Sequence, residues 1–114
     1  MGTDKTAHVK QENPGSQAWL DQVVEDIVDP DRLIIDPHHH LWRTGEGLSY
    51  SLEDLKTDVA DGHRIEGTVF MECGSAYDKD APAHLQPVGE TAFIAGESTG
   101  DPDRTIRAIV GKAD

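Results

Sequence analysis

Three consecutive histidines, His38, His39 and His40, stand in the segment Ile34-Ile35-Asp36-Pro37-His38-His39-His40-Leu41-Trp42. Imidazole is a good ligand for zinc and related divalent ions, provided its second nitrogen is held by an orienting partner. Side chains alternate between faces along a strand. If residues 33–40 form one extended segment, Asp36, His38 and His40 share a face and His39 points to the other. Two imidazoles two residues apart can then converge on one ion, which makes His38 and His40 the candidate metal ligands and His39 a structural residue. Pro37 restricts Asp36 to extended geometry, in keeping with a strand.

Other residues are candidates by position. Glu72 closes a second apolar run and falls in phase with Phe70. Arg43 and Tyr77 fall in the loops after the first and second runs, where substrate contacts are made in (β/α) proteins, so Glu72, Arg43 and Tyr77 are taken as candidate substrate-binding groups. Cys73 has no basic neighbour in sequence and reads as a small buried filler rather than a nucleophile. His63 and His84 lack partners in phase and read as surface residues. Glu53, Asp54, Asp58 and Asp61 read as a solvated helix face.

The elements that must position these groups can be read along the chain. Residues 1–15 are polar and aperiodic and are expected to form a flexible tail. Ser16 offers an N-cap, and Trp19, Leu20, Val23, Val24, Ile27 and Val28 recur at helical spacing up to Pro30, which predicts an N-terminal helix. Leu33-Ile34-Ile35 begins a buried strand. Arg43 to Tyr50 forms a Gly-containing loop. Ser51-Leu52-Glu53-Asp54 resembles a capping box, with Leu52, Leu55 and Val59 on one helical face and Gly62 as the stop. Residues 65–71 and 105–111 read as further strands. Between them lies a connection rich in Gly, Pro and Asp, with one helical stretch around Val88–Gly96.

Strand starts lie roughly 33 to 40 residues apart, the repeat of βαβ units with parallel strands. A complete (β/α)₈ barrel takes about 250 residues, whereas this chain has 114. The expected fold is therefore α/β: an incomplete TIM-like (β/α) barrel of about three parallel strands with connecting helices, preceded by an N-terminal helix. Residues 16–114 would form this single unit.

The chain carries 22 acidic against 10 basic residues, a formal charge of −12. Such a balance repels phosphate backbones and argues against nucleic-acid and anionic-membrane partners. No apolar run is long enough to span a bilayer, and the N-terminus has no secretory apolar region. The single cysteine excludes an internal disulfide and fits a reducing compartment, so a cytoplasmic location is expected.

The run Asp26-Ile27-Val28-Asp29-Pro30 followed by IIDPHHHLW resembles the opening of the amidohydrolase superfamily. The branch it is most similar to is that of the amidohydrolase-related, metal-dependent hydrolases with a TIM-barrel fold, which include sugar-lactone and pyrone-dicarboxylate lactonases. The resemblance continues through TVFMECGSAY, QPVGETAFIAG and IRAIVGKAD and covers roughly residues 17–114. It implies that His38 and His40 line a site at the end of the first barrel strand and hold a divalent ion, zinc first among them, although some lactonases of the branch work without a metal. It further implies hydrolysis of a lactone, amide or similar carbonyl bond of a small molecule by activated water. The later strands that supply the remaining groups in that family have no counterpart here, so the chain alone is expected to be catalytically incompetent. A second reading is a non-catalytic fragment that acts by binding or by self-association through exposed sheet edges. A third is a small His-rich metal-binding module independent of any barrel.

Overall fold

The computed structural model describes residues 12–43 and 47–113. Most of the tail expected over residues 1–15, and part of the loop after Arg43, lie outside the described residues. Three strands, β1 (Leu33–His39), β2 (Arg64–Met71) and β3 (Ile106–Val110), form one sheet in the order β1-β2-β3. Both pairings are parallel. Helix α1 (Gln17–Leu20) precedes β1, α2 (Leu52–Val59) joins β1 to β2, and a 3₁₀ turn with α3 (Gln86–Gly100) joins β2 to β3. The expected α/β class with a parallel sheet is present. Among the described residues no helix is long and apolar enough to cross a membrane.

The capping box forms as its residue types dictate. Ser51 Oγ accepts from the Asp54 N–H at 3.2 Å, and the Asp54 carboxylate accepts from the Ser51 N–H at 2.8 Å. The helix then turns Leu52 and Leu55 inward and ends at Ala60, two residues before Gly62 takes a positive φ of 99°. Helix α3 starts with Pro87 in its first turn, where a missing N–H costs nothing. It runs longer than the stretch read from sequence, because Ile94 is fully buried against the sheet and carries the flanking turns with it. Leu52 and Leu55 of α2, Ile94 of α3, Phe70, Ile106 and Leu41 make one core cluster. Both long helices therefore cover the same face of the sheet.

A buried carboxylate ties the far end of this layer together. Asp101 accepts from Lys56 Nζ at 3.0 Å, from the Thr105 N–H at 2.9 Å and from the Asp103 N–H at 3.1 Å. Burial would push the Asp101 carboxyl up, but the Thr105 N–H and the Lys56 ammonium outweigh it and hold the group well below the usual carboxylate range.

The expected N-terminal helix is cut to four residues. Beyond Leu20 the chain leaves the helix, and Val23, Val24 and Val28 are 69%, 89% and 98% exposed. Two physical causes act together. Short helices are marginal in water without a packed face, and here Trp19, Leu20, Val23, Val24 and Val28 of the apolar stripe lie exposed. Asp21, Glu25 and Asp29 also stand four residues apart, so a helix would stack like charges along one side. Only Ile27 of the stripe reaches the body, where its Cδ1 occupies the space beside Gly62.

Candidate functional site

The site is built at the C-terminal end of β1. Pairing runs Asp36 to Thr68 and His39 to Phe70, so three steps along β1 match two along β2. The irregularity shifts the alternation. Asp36 lies opposite Thr68 and is in phase with His39, not with His38 and His40 as simple alternation required. Its carboxylate instead caps the irregularity, accepting from the His38 backbone N–H at 3.0 Å.

His39 turns to the helix-covered face and is 8% exposed. The Thr68 hydroxyl donates to the Thr105 carbonyl at 3.2 Å, leaving its oxygen to accept from His39 Nε2–H at 2.9 Å. That assignment fixes the tautomer and leaves His39 Nδ1 buried without a partner. Burial pushes the His39 imidazole below its ordinary value, partly opposed by the Asp36 charge. Its ring also meets the edge of Phe70, with centroids 5.8 Å apart. A neutral, buried, hydrogen-bonded ring fits the structural role expected from its parity.

His38 and His40 flank His39 and project from the opposite face. Their rings meet edge to face, and the two Nε2 atoms lie 3.3 Å apart. His40 Nδ1 lies 2.8 Å from the Met71 carbonyl. A carbonyl only accepts, so Nδ1 carries the proton and Nε2 presents its lone pair. This is the outer partner that orients a ligating imidazole. His38 Nε2–H therefore donates to His40 Nε2 across the 3.3 Å between them. Nitrogens bound tetrahedrally at about 2.0–2.1 Å from zinc are themselves about 3.3 Å apart, so once that proton moves to His38 Nδ1 the pair has the spacing of one edge of a tetrahedral coordination sphere. The donor chemistry thus fits two ligands of an ion. Among the described residues no third His, Cys, Asp or Glu joins them.

The remaining candidates fall into two groups. Glu72 continues β2 beyond Met71, its N–H donating to the Val110 carbonyl at 2.9 Å, and its carboxylate accepts the Tyr77 hydroxyl. Glu72 and Tyr77 are therefore brought together at the end of β2, where strand phase puts Glu72 on the side of Phe70 rather than on that of His38 and His40. Arg43 goes elsewhere. Its guanidinium lies 4.5 Å from the Phe93 ring centre, at a cavity of about 360 Å³ walled by Trp42, Leu52, Phe93 and Glu97. Neither His38 nor His40 lines that cavity.

Cys73 is exposed rather than the buried filler its type suggested. The cause is Glu90, which is 1% exposed and occupies the interior position beneath the loop. Its carboxylate accepts from the Cys73 N–H at 3.1 Å, the Ser75 N–H at 2.6 Å and the Ser75 hydroxyl at 2.9 Å. Burial would push the Glu90 carboxyl up, but the Ser75 hydroxyl and the two backbone N–H groups hold it below the usual carboxylate range. Partial burial pushes the Cys73 thiol up, which works against a nucleophilic role. Sequence reasoning missed Glu90. The available signal was an acidic residue on the face of α3 that carries Ile94, four positions along. Trp42 was likewise missed as a neighbour of the site, its ring 5.7 Å from that of His40. Comparison with protein-family models, with curated proteins and with solved structures finds no match to this chain.

Proposed function

We propose that this chain is the N-terminal part of an amidohydrolase-like (β/α) barrel enzyme and supplies half of its metal site. The observation that carries this reading is the His38–His40 pair. Its two Nε2 atoms are spaced as ligands at the C-terminal end of a parallel strand, with His40 Nδ1 held by the Met71 carbonyl. That end of the strands is where barrel enzymes keep their active sites. A divalent ion held there would act as a Lewis acid on a carbonyl and favour ionisation of water. His38 and His40 would hold the ion, while Glu72 with Tyr77 would offer a carboxylate and a hydroxyl to a polar substrate. The reaction class is hydrolysis of a lactone, amide or similar carbonyl bond of a small molecule. With two ligands and, among the described residues, no third group joining the pair, the chain alone binds an ion without turning substrate over.

The test is zinc uptake followed by competition with a chromophoric chelator, together with a lactonase assay. Uptake is expected in the parent chain and in Cys73→Ser, and is lost in His38→Ala and in His40→Ala. Absence of uptake in the parent chain sinks the reading. Zinc-stimulated lactone turnover, abolished by His38→Ala, would instead show that the chain is competent alone.

A further inference from the structure

The cavity beside Arg43 lies on the helix-covered side of the sheet, between the segment after β1, the start of α2 and the second half of α3. Its volume of about 360 Å³ falls at the low end of small-molecule sites, roughly 300–1,000 Å³. Its apolar walls are Leu41 and Leu52, buried members of the core cluster, and the half-buried rings of Trp42 and Phe93. Small-molecule sites are mostly apolar, with a few polar groups that fix the orientation of the ligand. Here the Ser51 hydroxyl is already engaged with Asp54 in the capping box, which leaves one cation, Arg43, and one anion, Glu97.

These two charges are not spent within the protein. The ion pairs among the described residues are Arg32 with Asp29 and Lys56 with Asp101 and Asp103, and Arg43 and Glu97 take part in none of them. The Arg43 guanidinium lies over the Phe93 ring, 4.5 Å from its centre. That contact uses the charge of the guanidinium and none of its five N–H donors. Glu97 follows Phe93 by four residues on α3, so its side chain stands one turn along the same helix face as the ring beneath Arg43. A cation and an anion thus border one apolar cavity, about a helical turn apart, without closing on each other.

We infer that this cavity is a binding site for an apolar α-amino acid. Its carboxylate pairs with the Arg43 guanidinium, its ammonium meets the Glu97 carboxylate, and its side chain rests against Leu41, Leu52 and Phe93. The charges select a zwitterion. A plain carboxylate would set an anion near Glu97, and a plain amine would set a cation near Arg43; only a ligand with both charges is matched at each end. The site stands apart from the imidazole pair, which does not line it, and needs no ion. Trp42 is the one wall shared with that pair, its ring 5.7 Å from the ring of His40.

The experiment uses the full chain carrying Trp19→Phe, which leaves Trp42 as the only tryptophan. L-leucine is titrated in EDTA, so that the outcome is independent of zinc uptake, and binding is followed by Trp42 fluorescence and by calorimetry. The expected result is saturable, sub-millimolar binding of one leucine per chain. 4-Methylpentanoate, which lacks the ammonium, and 3-methylbutylamine, which lacks the carboxylate, are each expected to bind at least about tenfold more weakly. Arg43→Met and Glu97→Gln are each expected to weaken leucine at least about tenfold with an unchanged circular dichroism spectrum. Arg43→Met should also erase the advantage of leucine over the amine, and Glu97→Gln its advantage over the carboxylate. No saturable binding of leucine overturns the inference. Equal binding of leucine and either one-charge analogue by the parent chain overturns it without recourse to any variant. Leucine binding that survives both Arg43→Met and Glu97→Gln places the ligand elsewhere and overturns it as well.

Discussion

Replacing Glu90 by Gln tests whether one buried carboxylate sets the end of β2, on which His40 rests. Glu90 accepts from two backbone N–H groups and one hydroxyl at 2.6–3.1 Å and from the Cys73 thiol at 3.8 Å, and all four donors belong to the loop that starts two residues after Met71. Gln keeps the volume but offers one acceptor oxygen instead of two, so whichever way the amide turns, one side of the loop faces an NH₂ group. Hydrogen bonds to a charged partner contribute about 1.5–3 kcal/mol each and neutral ones about 1 kcal/mol. Losing one bond and weakening the others gives a destabilisation of about 2 kcal/mol, or a fall in Tm of roughly 10 °C for a chain of this size. The assay is a circular dichroism melt near neutral pH, with Glu66→Gln, an exposed position of β2, as control, expected within about 0.5 kcal/mol of the parent.

The pH dependence sharpens the test. The folded pKa of Glu90 is depressed, so its contribution is present above the unfolded value of about 4.3 and is lost as pH falls through the folded value. The gap in Tm between parent and Glu90→Gln should therefore be widest near neutrality and close on acidification. Equal melts for Glu90→Gln and Glu66→Gln, or a gap that does not change with pH, would refute the reasoning.

Three further outcomes are expected. Gly89→Ala places a Cβ 2.6 Å from the Asp78 backbone nitrogen and 3.0 Å from the Ala76 carbonyl oxygen, so the backbone must move. A loss of about 2 kcal/mol is expected in a urea melt, whereas Gly96→Ala on the same helix meets nothing within 4 Å and should gain up to about 1 kcal/mol. Asp101→Asn removes the charge shared by Lys56 and the Thr105 N–H. Because the folded pKa of Asp101 is depressed, the variant should melt well below the parent at neutral pH, and the gap should begin to narrow only below the unfolded value of about 3.9 and close as pH falls through the much lower folded value. Thr68→Val keeps the shape but leaves both His39 nitrogens without a partner, for a cost of about 1–3 kcal/mol by thermal melt.

The parts of the fold that were legible in the sequence are those fixed by near neighbours. The capping box at Ser51 joins residues three apart, and its hydrogen bonds need nothing from elsewhere. The strands were legible as short branched runs bounded by turn residues. The His38–His40 convergence was legible because each residue sits next to His39, whatever happens upstream. The phase of Asp36 was not legible, since the irregularity after it depends on which residues of β2 it faces, some thirty positions away. Glu90 and Asp101 were hidden for the same reason. Their donors come from Cys73 and Ser75 in one case and from Lys56 in the other, and only the packed layer brings these together.

The N-terminal segment and the open sheet face show a different kind of mismatch between sequence and structure. In both, the apolar pattern is regular, yet several of its residues lie exposed. Trp19, Leu20, Val23 and Val24 hold helical spacing yet lie exposed, and Ile35 and Val110 hold strand alternation yet face outward. The strand survives this and the helix does not. A strand takes its hydrogen bonds from neighbours already fixed in the sheet, so β1 and β3 stay extended although Ile35 and Val110 lie exposed. A helix closes its own hydrogen bonds and depends on packing to offset the conformational entropy it loses. The His38–His40 pair is thus held at the end of β1 by strand pairing and by the Met71 carbonyl, while the segment before it leaves the helix after one turn.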